Sequence, residues 1–164
     1  AAMGAGEIET ALIAENASQA RDFWALREAM SAGHRPEGAQ ANHDISVPVS
    51  RTPAFLEQAS ARIEALCPGA RVVAFGHMGD GNIHYTALAP AGASPAAFPG
   101  AALTEAVLEI ATGLGGSISA EHGIGLVRKG ELARFKDAES LALMGVLKRA
   151  LDPANTMNPR VLLP

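Results

Sequence analysis

Cysteine is nearly absent from this sequence, and so are an excess of positive charge and any long apolar run. The one cysteine, Cys67, excludes a disulfide within the chain and fits a reducing compartment, so a cytoplasmic location is expected. No cationic neighbour of Cys67 is evident, and it reads as a small apolar residue at a helix end, not a reactive thiol. The net charge is -4 and no basic stripe occurs, which argues against nucleic acid as a partner. The stretches FWALREAM and LVRKGELARFK carry cations beside acids and read as solvated helix faces. No segment approaches the roughly 18 apolar residues that a membrane-spanning helix needs. The opening residues, AAMGAGEIET, lack a basic region followed by an apolar one, so no secretory leader is expected. The glycines of GLGG and HGIG do not follow a strand and open a helix as a dinucleotide-binding loop requires.

What is present suits one domain with a single core: 164 residues, 48% of them hydrophobic. Residues 8–15 are apolar and ambiguous between a short helix and a strand. Asn16 or Ser18 caps a helix over 19–30 whose apolar face is Phe23, Trp24, Leu26 and Met30, ending near Gly33. After a loop over 33–42, HDISVPVS reads as a strand, with Pro48 marking an edge or an end. Thr52 is expected to cap a helix over 53–66 with Phe55, Leu56, Ala59, Ile63 and Leu66 as its stripe, broken by Pro68-Gly69. Residues 71–75 form a buried strand and 82–89 another. A loop follows, then helix 101–113, a short strand in SISAEHGIG, helices over 128–136 and 138–151, and an extended tail. The order α, β, α, β-β, α, β, α, α specifies an α+β fold, with helices packed on an antiparallel or mixed sheet.

The chemistry concentrates in GHMGDGNIH, residues 76–84, which hold two histidines, an aspartate, an asparagine and three glycines after the apolar run VVAF. Asp80-Gly81 between apolar runs predicts a two-residue type I′ hairpin turn. With those two at its centre, His77 faces His84 and both imidazoles share one face of the sheet. A longer glycine loop would also bring the two together. Paired lone pairs suit a metal ion. The other reading is that the glycines only make a turn and the histidines are incidental.

A third ligand is offered by SAEHGIG, where Glu121 and His122 precede Gly123. Two histidines and a carboxylate leave positions open on a metal, as a catalytic site requires. If Glu121 binds the ion, His122 is free to act as a general base. The competing reading is a helix-start acid beside a surface histidine.

GHMGDGNIH, SAEHGIGLVRK and LDPANTMNPRVLLP, in that order, resemble the C-terminal half of the FAD-linked 2-hydroxyacid dehydrogenases, and FWALREAM and HDISVPVS fit the same family. That family includes D-2-hydroxyglutarate dehydrogenase, the D subunit of glycolate oxidase and D-lactate dehydrogenase. The resemblance covers nearly the whole chain. It implies a ferredoxin-like sandwich. It also implies that residues 1–164 are the substrate- and metal-binding cap domain of a longer protein whose N-terminal domain binds FAD. His77, His84 and Glu121 match the family's ligands for a divalent metal, zinc foremost. His122 matches the base that takes the proton of a small 2-hydroxy acid substrate. Arg27 matches an arginine that binds the substrate carboxylate, and Ser31 a hydroxyl residue of the same pocket. Asn82 matches the asparagine of the hairpin motif, a support for the loop, and is placed on the cofactor side together with Asn158, which lies where the family's chain returns toward the flavin. Asn42 and Thr86 occupy substrate-side positions where the family commonly has Lys and often Asn, and Asn158-Pro159-Arg160 replaces the usual Asn-Pro-Gly-Lys. These departures weigh against dicarboxylates such as 2-hydroxyglutarate and leave the metal site intact.

The isolated chain is accordingly expected neither to hold FAD tightly nor to turn over substrate. The tail residues Leu162 and Leu163 are expected to be uncovered, on a face open to the FAD-binding domain or to self-association. Two other functions compete: a hydrolytic metalloenzyme using the same ligands with Asp80 as base, and a non-catalytic binding module that keeps only the fold.

Overall fold

A computed structural model describes residues 3–163, without the side chain of Ser31. Contacts divide the chain into two compact units, residues 1–36 and 37–164. The first contains helix α1 (Ala17–Gly33), and residues 7–15 form no regular element. The Asn16 side chain caps α1, accepting from the N–H groups of Ser18 and Gln19 at 3.0 Å each. Phe23, Trp24, Leu26 and Met30 are all exposed. The expected apolar face therefore exists as a surface feature of α1.

The second unit begins with β1 (Gln40–Ser46), α2 (Thr52–Leu66), β2 (Arg71–His77), β3 (Asn82–Leu88) and α3 (Gly100–Gly113). Two more helices follow, the short α4 (Lys129–Phe135) and α5 (Ala138–Leu151). The strands form one antiparallel sheet in the order β1-β3-β2. A single antiparallel bridge, Ser46 to Ser117, adds a rudimentary fourth position outside β1. The resulting order is that of a ferredoxin-like α+β sandwich. The strand expected in SISAEHGIG is reduced to that bridge because its serines turn inward on the local backbone. Ser117 Oγ donates to Ser119 O at 2.9 Å and Ser119 Oγ to Gly123 O at 3.0 Å.

Strand alternation divides the sheet into two faces. Ala41, Ile45, Ile83, Tyr85 and Ala87 point into the core, where they meet Phe55, Ala59 and Ile63 of α2 and Leu103, Val107 and Ala111 of α3. Tyr85 packs edge-on against Phe55, ring centroids 5.4 Å apart, an arrangement that contributes about 1 kcal/mol beyond area burial. The central strand β3 is buried almost throughout, whereas β2, expected to be buried, is a half-exposed edge. Thr52, expected to cap α2, is instead its first residue and is buried; Arg51 takes the cap position without a side-chain bond.

The hairpin differs from the sequence expectation in register. His77 pairs with Asn82, and His84 with Phe75, leaving a four-residue connection over 78–81. A type I′ turn needs positive φ at both central residues, and Asp80 is not among the positive-φ residues, whereas Gly81 has φ 76°. Asp80 Oδ1 instead accepts from the N–H of Asn82 at 3.0 Å, and the Gly81 N–H donates to His77 O at 3.1 Å. The shift is by two residues, so the faces keep their parity. His77 and His84 become diagonal neighbours on the face opposite the core.

Candidate metal centre

Asn42, Asp44 and Ser46 of β1, Asn82, His84 and Thr86 of β3, and Phe75 and His77 of β2 share that second face. The chain after the Ser117 bridge runs beside β1, with the Ala120 N–H donating to Asp44 O at 3.0 Å. It thereby delivers Glu121 to the two histidines. His77 Nε2 lies 3.4 Å from Glu121 Oε1, and His84 Nε2 lies 3.4 Å from Glu121 Oε2. One ligand atom from each of the three residues lies within 4.8 Å of the others. The His77 and His84 rings are 6.0 Å apart, and Phe75 packs against His84 at 5.2 Å.

Two imidazoles and one carboxylate converging from an edge strand, a central strand and a loop form a donor set that suits a divalent ion of the zinc type, with positions left open. His122 extends from the same loop. Its ring is 6.0 Å from that of His84 and its side chain is largely exposed, with Nδ1 3.5 Å from Asp44 Oδ2.

Asp44 sits beneath these groups with 2% of its surface exposed. Its Oδ2 accepts from the backbone N–H groups of Glu121 and His122, both at 2.8 Å, and its Oδ1 from the Asn82 side-chain amide at 2.7 Å. Burial pushes the Asp44 carboxyl up, but the hydrogen bonds from His122, Glu121 and Asn82 and the nearby His122 ring hold it below the usual carboxylate range. Sequence reasoning passed over Asp44, although the HDISVPVS strand carries it. Its signal was an acid among apolar residues of a strand that the sheet must cover.

The remaining candidates lie in several places. Asn82 is buried, and its amide also donates to Ile45 O at 3.1 Å, tying β3 to β1. Thr86 donates to Asn42 Oδ1 at 2.8 Å, so the two form a pair, two residues along each strand from His84 and Asp44. Asp80, the base considered for hydrolysis, caps the hairpin loop. Asn158, with φ 49°, lines a groove with Met144, Leu151 and Met157 that none of the converging groups lines. Leu162 is exposed and Leu163 half-buried, with the Leu162 N–H donating to Gly125 O at 3.1 Å. Arg27 is half-buried on α1, in the first unit. Ser31 is also on α1, and its side chain lies outside the described residues. No helix among the described residues is long and apolar enough to cross a membrane.

Residues 1–162 match the family model described as FAD linked oxidases, C-terminal domain. The chain belongs to the FAD-linked oxidase C-terminal domain family. Relatives within reach of this FAD-linked oxidase domain include the D-2-hydroxyglutarate dehydrogenase of Xanthomonas citri pv. viticola, 39% identical over 159 residues, covering 96% of the chain and 34% of the relative. The mitochondrial D-2-hydroxyglutarate dehydrogenase of Bos taurus is 38% identical over 143 residues, 87% of the chain and 25% of the relative. A probable mitochondrial D-2-hydroxyglutarate dehydrogenase of Oryza sativa subsp. japonica is 33% identical over 159 residues, 97% and 27%. The chain thus spans about a third or less of the length of these relatives.

Proposed function

We propose that residues 1–164 are the substrate- and metal-binding domain of a longer FAD-dependent dehydrogenase that oxidises a small D-2-hydroxy acid to the 2-oxo acid, with an N-terminal FAD-binding domain as partner. One observation carries the reading: His77, His84 and Glu121 converge on a common point in a chain of this family. Bound, a divalent ion supplies Lewis acidity toward a substrate oxygen, and FAD supplies the hydride acceptor. His77, His84 and Glu121 hold the ion. His122 takes the proton of the substrate hydroxyl at Nε2, since its Nδ1 faces the Asp44 carboxylate and retains hydrogen there. A planar guanidinium suits a substrate carboxylate, the role proposed for Arg27 with Ser31 beside it on α1. The relatives' names point to D-2-hydroxyglutarate; the uncharged Asn42–Thr86 pair on the sheet face suits a smaller or less charged acid.

Zinc titration of the chain, wild type against His77→Ala, tests the metal site. The expected result is a large loss of affinity in the variant, and coinciding affinities would remove the assignment. The longer flavoprotein, assayed with glycolate, D-lactate and D-2-hydroxyglutarate, tests the activity, and inactivity on every 2-hydroxy acid would remove that.

A further inference from the structure

We propose that Asp44 is the positioning residue of the three-ligand site, a buried carboxylate that sets Glu121 and His122 against His84. The inference rests on the metal reading above and deepens it. Glu121 and His122 are exposed loop residues beyond the last bridge of the sheet, outside any strand or helix. Asp44 meets that loop at three points. Its main-chain oxygen accepts from Ala120, and its Oδ2 accepts from two consecutive N–H groups, those of Glu121 and His122. A carboxylate acceptor for paired backbone N–H groups is among the stronger hydrogen-bond arrangements available to a loop. The other oxygen, Oδ1, receives Asn82 and stands 3.7 Å from His84 Nδ1, too far for a hydrogen bond but close enough to favour hydrogen on that nitrogen. His84 Nε2, the atom facing Glu121, then keeps its lone pair. One side chain thus fixes where the acid ligand stands and biases which nitrogen of a histidine ligand is free. Outer partners of this kind commonly change metal affinity 10- to 100-fold, roughly, when removed.

The test is Co2+ titration of the chain as wild type, His77→Ala and Asp44→Asn, with the visible band of bound Co2+ and the metal-free unfolding midpoint recorded for each. Asp44→Asn keeps the shape and one oxygen but places an amide N–H2 where an acceptor stood. The expected result is binding weaker by roughly 10- to 100-fold, with an altered Co2+ band at saturation. Unchanged affinity, or weaker binding with an unchanged band, overturns the role of Asp44 and leaves the site itself standing. Binding by His77→Ala that equals wild type overturns the three-ligand reading instead, and this inference with it. If Asp44→Asn does not fold, amide exchange in the metal-free wild type decides. Protected Glu121 and His122 amides support the role, and exchange at unprotected rates overturns it.

Discussion

Asn82 donates its side-chain amide to Asp44 Oδ1 at 2.7 Å, a contact between two buried polar residues on neighbouring strands. Removing the donor leaves the Asp44 carboxylate buried with one partner fewer, a change that costs about 1–3 kcal/mol. Asn82→Ala should lose about that much stability in urea unfolding at pH 7. Asp44 has its native titration point below the unfolded one, so its contribution is present above the unfolded value and is lost as pH falls through the native value. Asn82→Ala removes one cause of that depression, so in the variant the loss should be smaller and complete at higher pH. A variant within 0.5 kcal/mol of wild type would show that the contact carries little.

Gly81 is placed where a side chain cannot go. Its φ is 76°, and a Cβ there would stand 1.9 Å from Val47 O and 3.2 Å from Val47 C. The same glycine accepts the Val47 N–H at 3.1 Å, locking the hairpin loop to the end of β1. Gly81→Ala should destabilise by about 1–3 kcal/mol from backbone strain alone, and more from the clash. Because the loop follows His77, Co2+ affinity should fall with it. Full retention of both in calorimetry and titration would contradict the geometry.

Burial pushes the His43 imidazole down to about 4. The ring donates through Nδ1 to Tyr85 O at 2.8 Å and meets Thr104 Oγ1 through Nε2 at 3.1 Å, on the core face of β1. The folded chain thus refuses a proton that the unfolded chain takes near pH 6.5. Stability is full above pH 6.5, declines as pH falls toward about 4, and levels off below. The decline is on the order of 3 kcal/mol. His43→Gln should flatten it in unfolding measured at pH 8, 6 and 4.5. An NMR titration placing His43 near its ordinary value would sink the prediction.

Asp152 ends α5 and gathers the tail. It pairs with Lys148, and its carboxylate accepts the N–H groups of Thr156 and Met157, at 2.9 Å each. Lys148 and those two N–H groups, against the effect of burial, hold Asp152 at about 2. Asp152→Ala should leave the sheet core intact while the Thr156 and Met157 amides exchange markedly faster. Unchanged exchange at those two positions would show that something else secures the tail.

The α2 stripe was legible because Phe55, Ala59 and Ile63 are spaced for one helix face and the core takes all three. α1 carries a comparable stripe, Phe23, Trp24, Leu26 and Met30, but there all four are exposed, in keeping with the solvated face read from FWALREAM. Periodicity reports where an apolar face lies, not what covers it. The convergence of His77 and His84 was legible despite the wrong turn, since a slip of two residues conserves side-chain parity. The register itself was not, because it turns on Asp80 capping Asn82 and on Gly81 meeting Val47, a contact across 34 residues that no local pattern announces. Asp44 was hidden for a related reason. Its worth lies in N–H groups some 77 positions later, which only the fold brings to it.

Alternation along β1 and β3 also separates two kinds of change. Substitutions at 41, 45, 83, 85 or 87 press on the helix-covered core, whereas 42 and 86 lie on the opposite face of the sheet. The core under the helices and the Asn42–Thr86 pair thus draw on alternate residues of the same two strands.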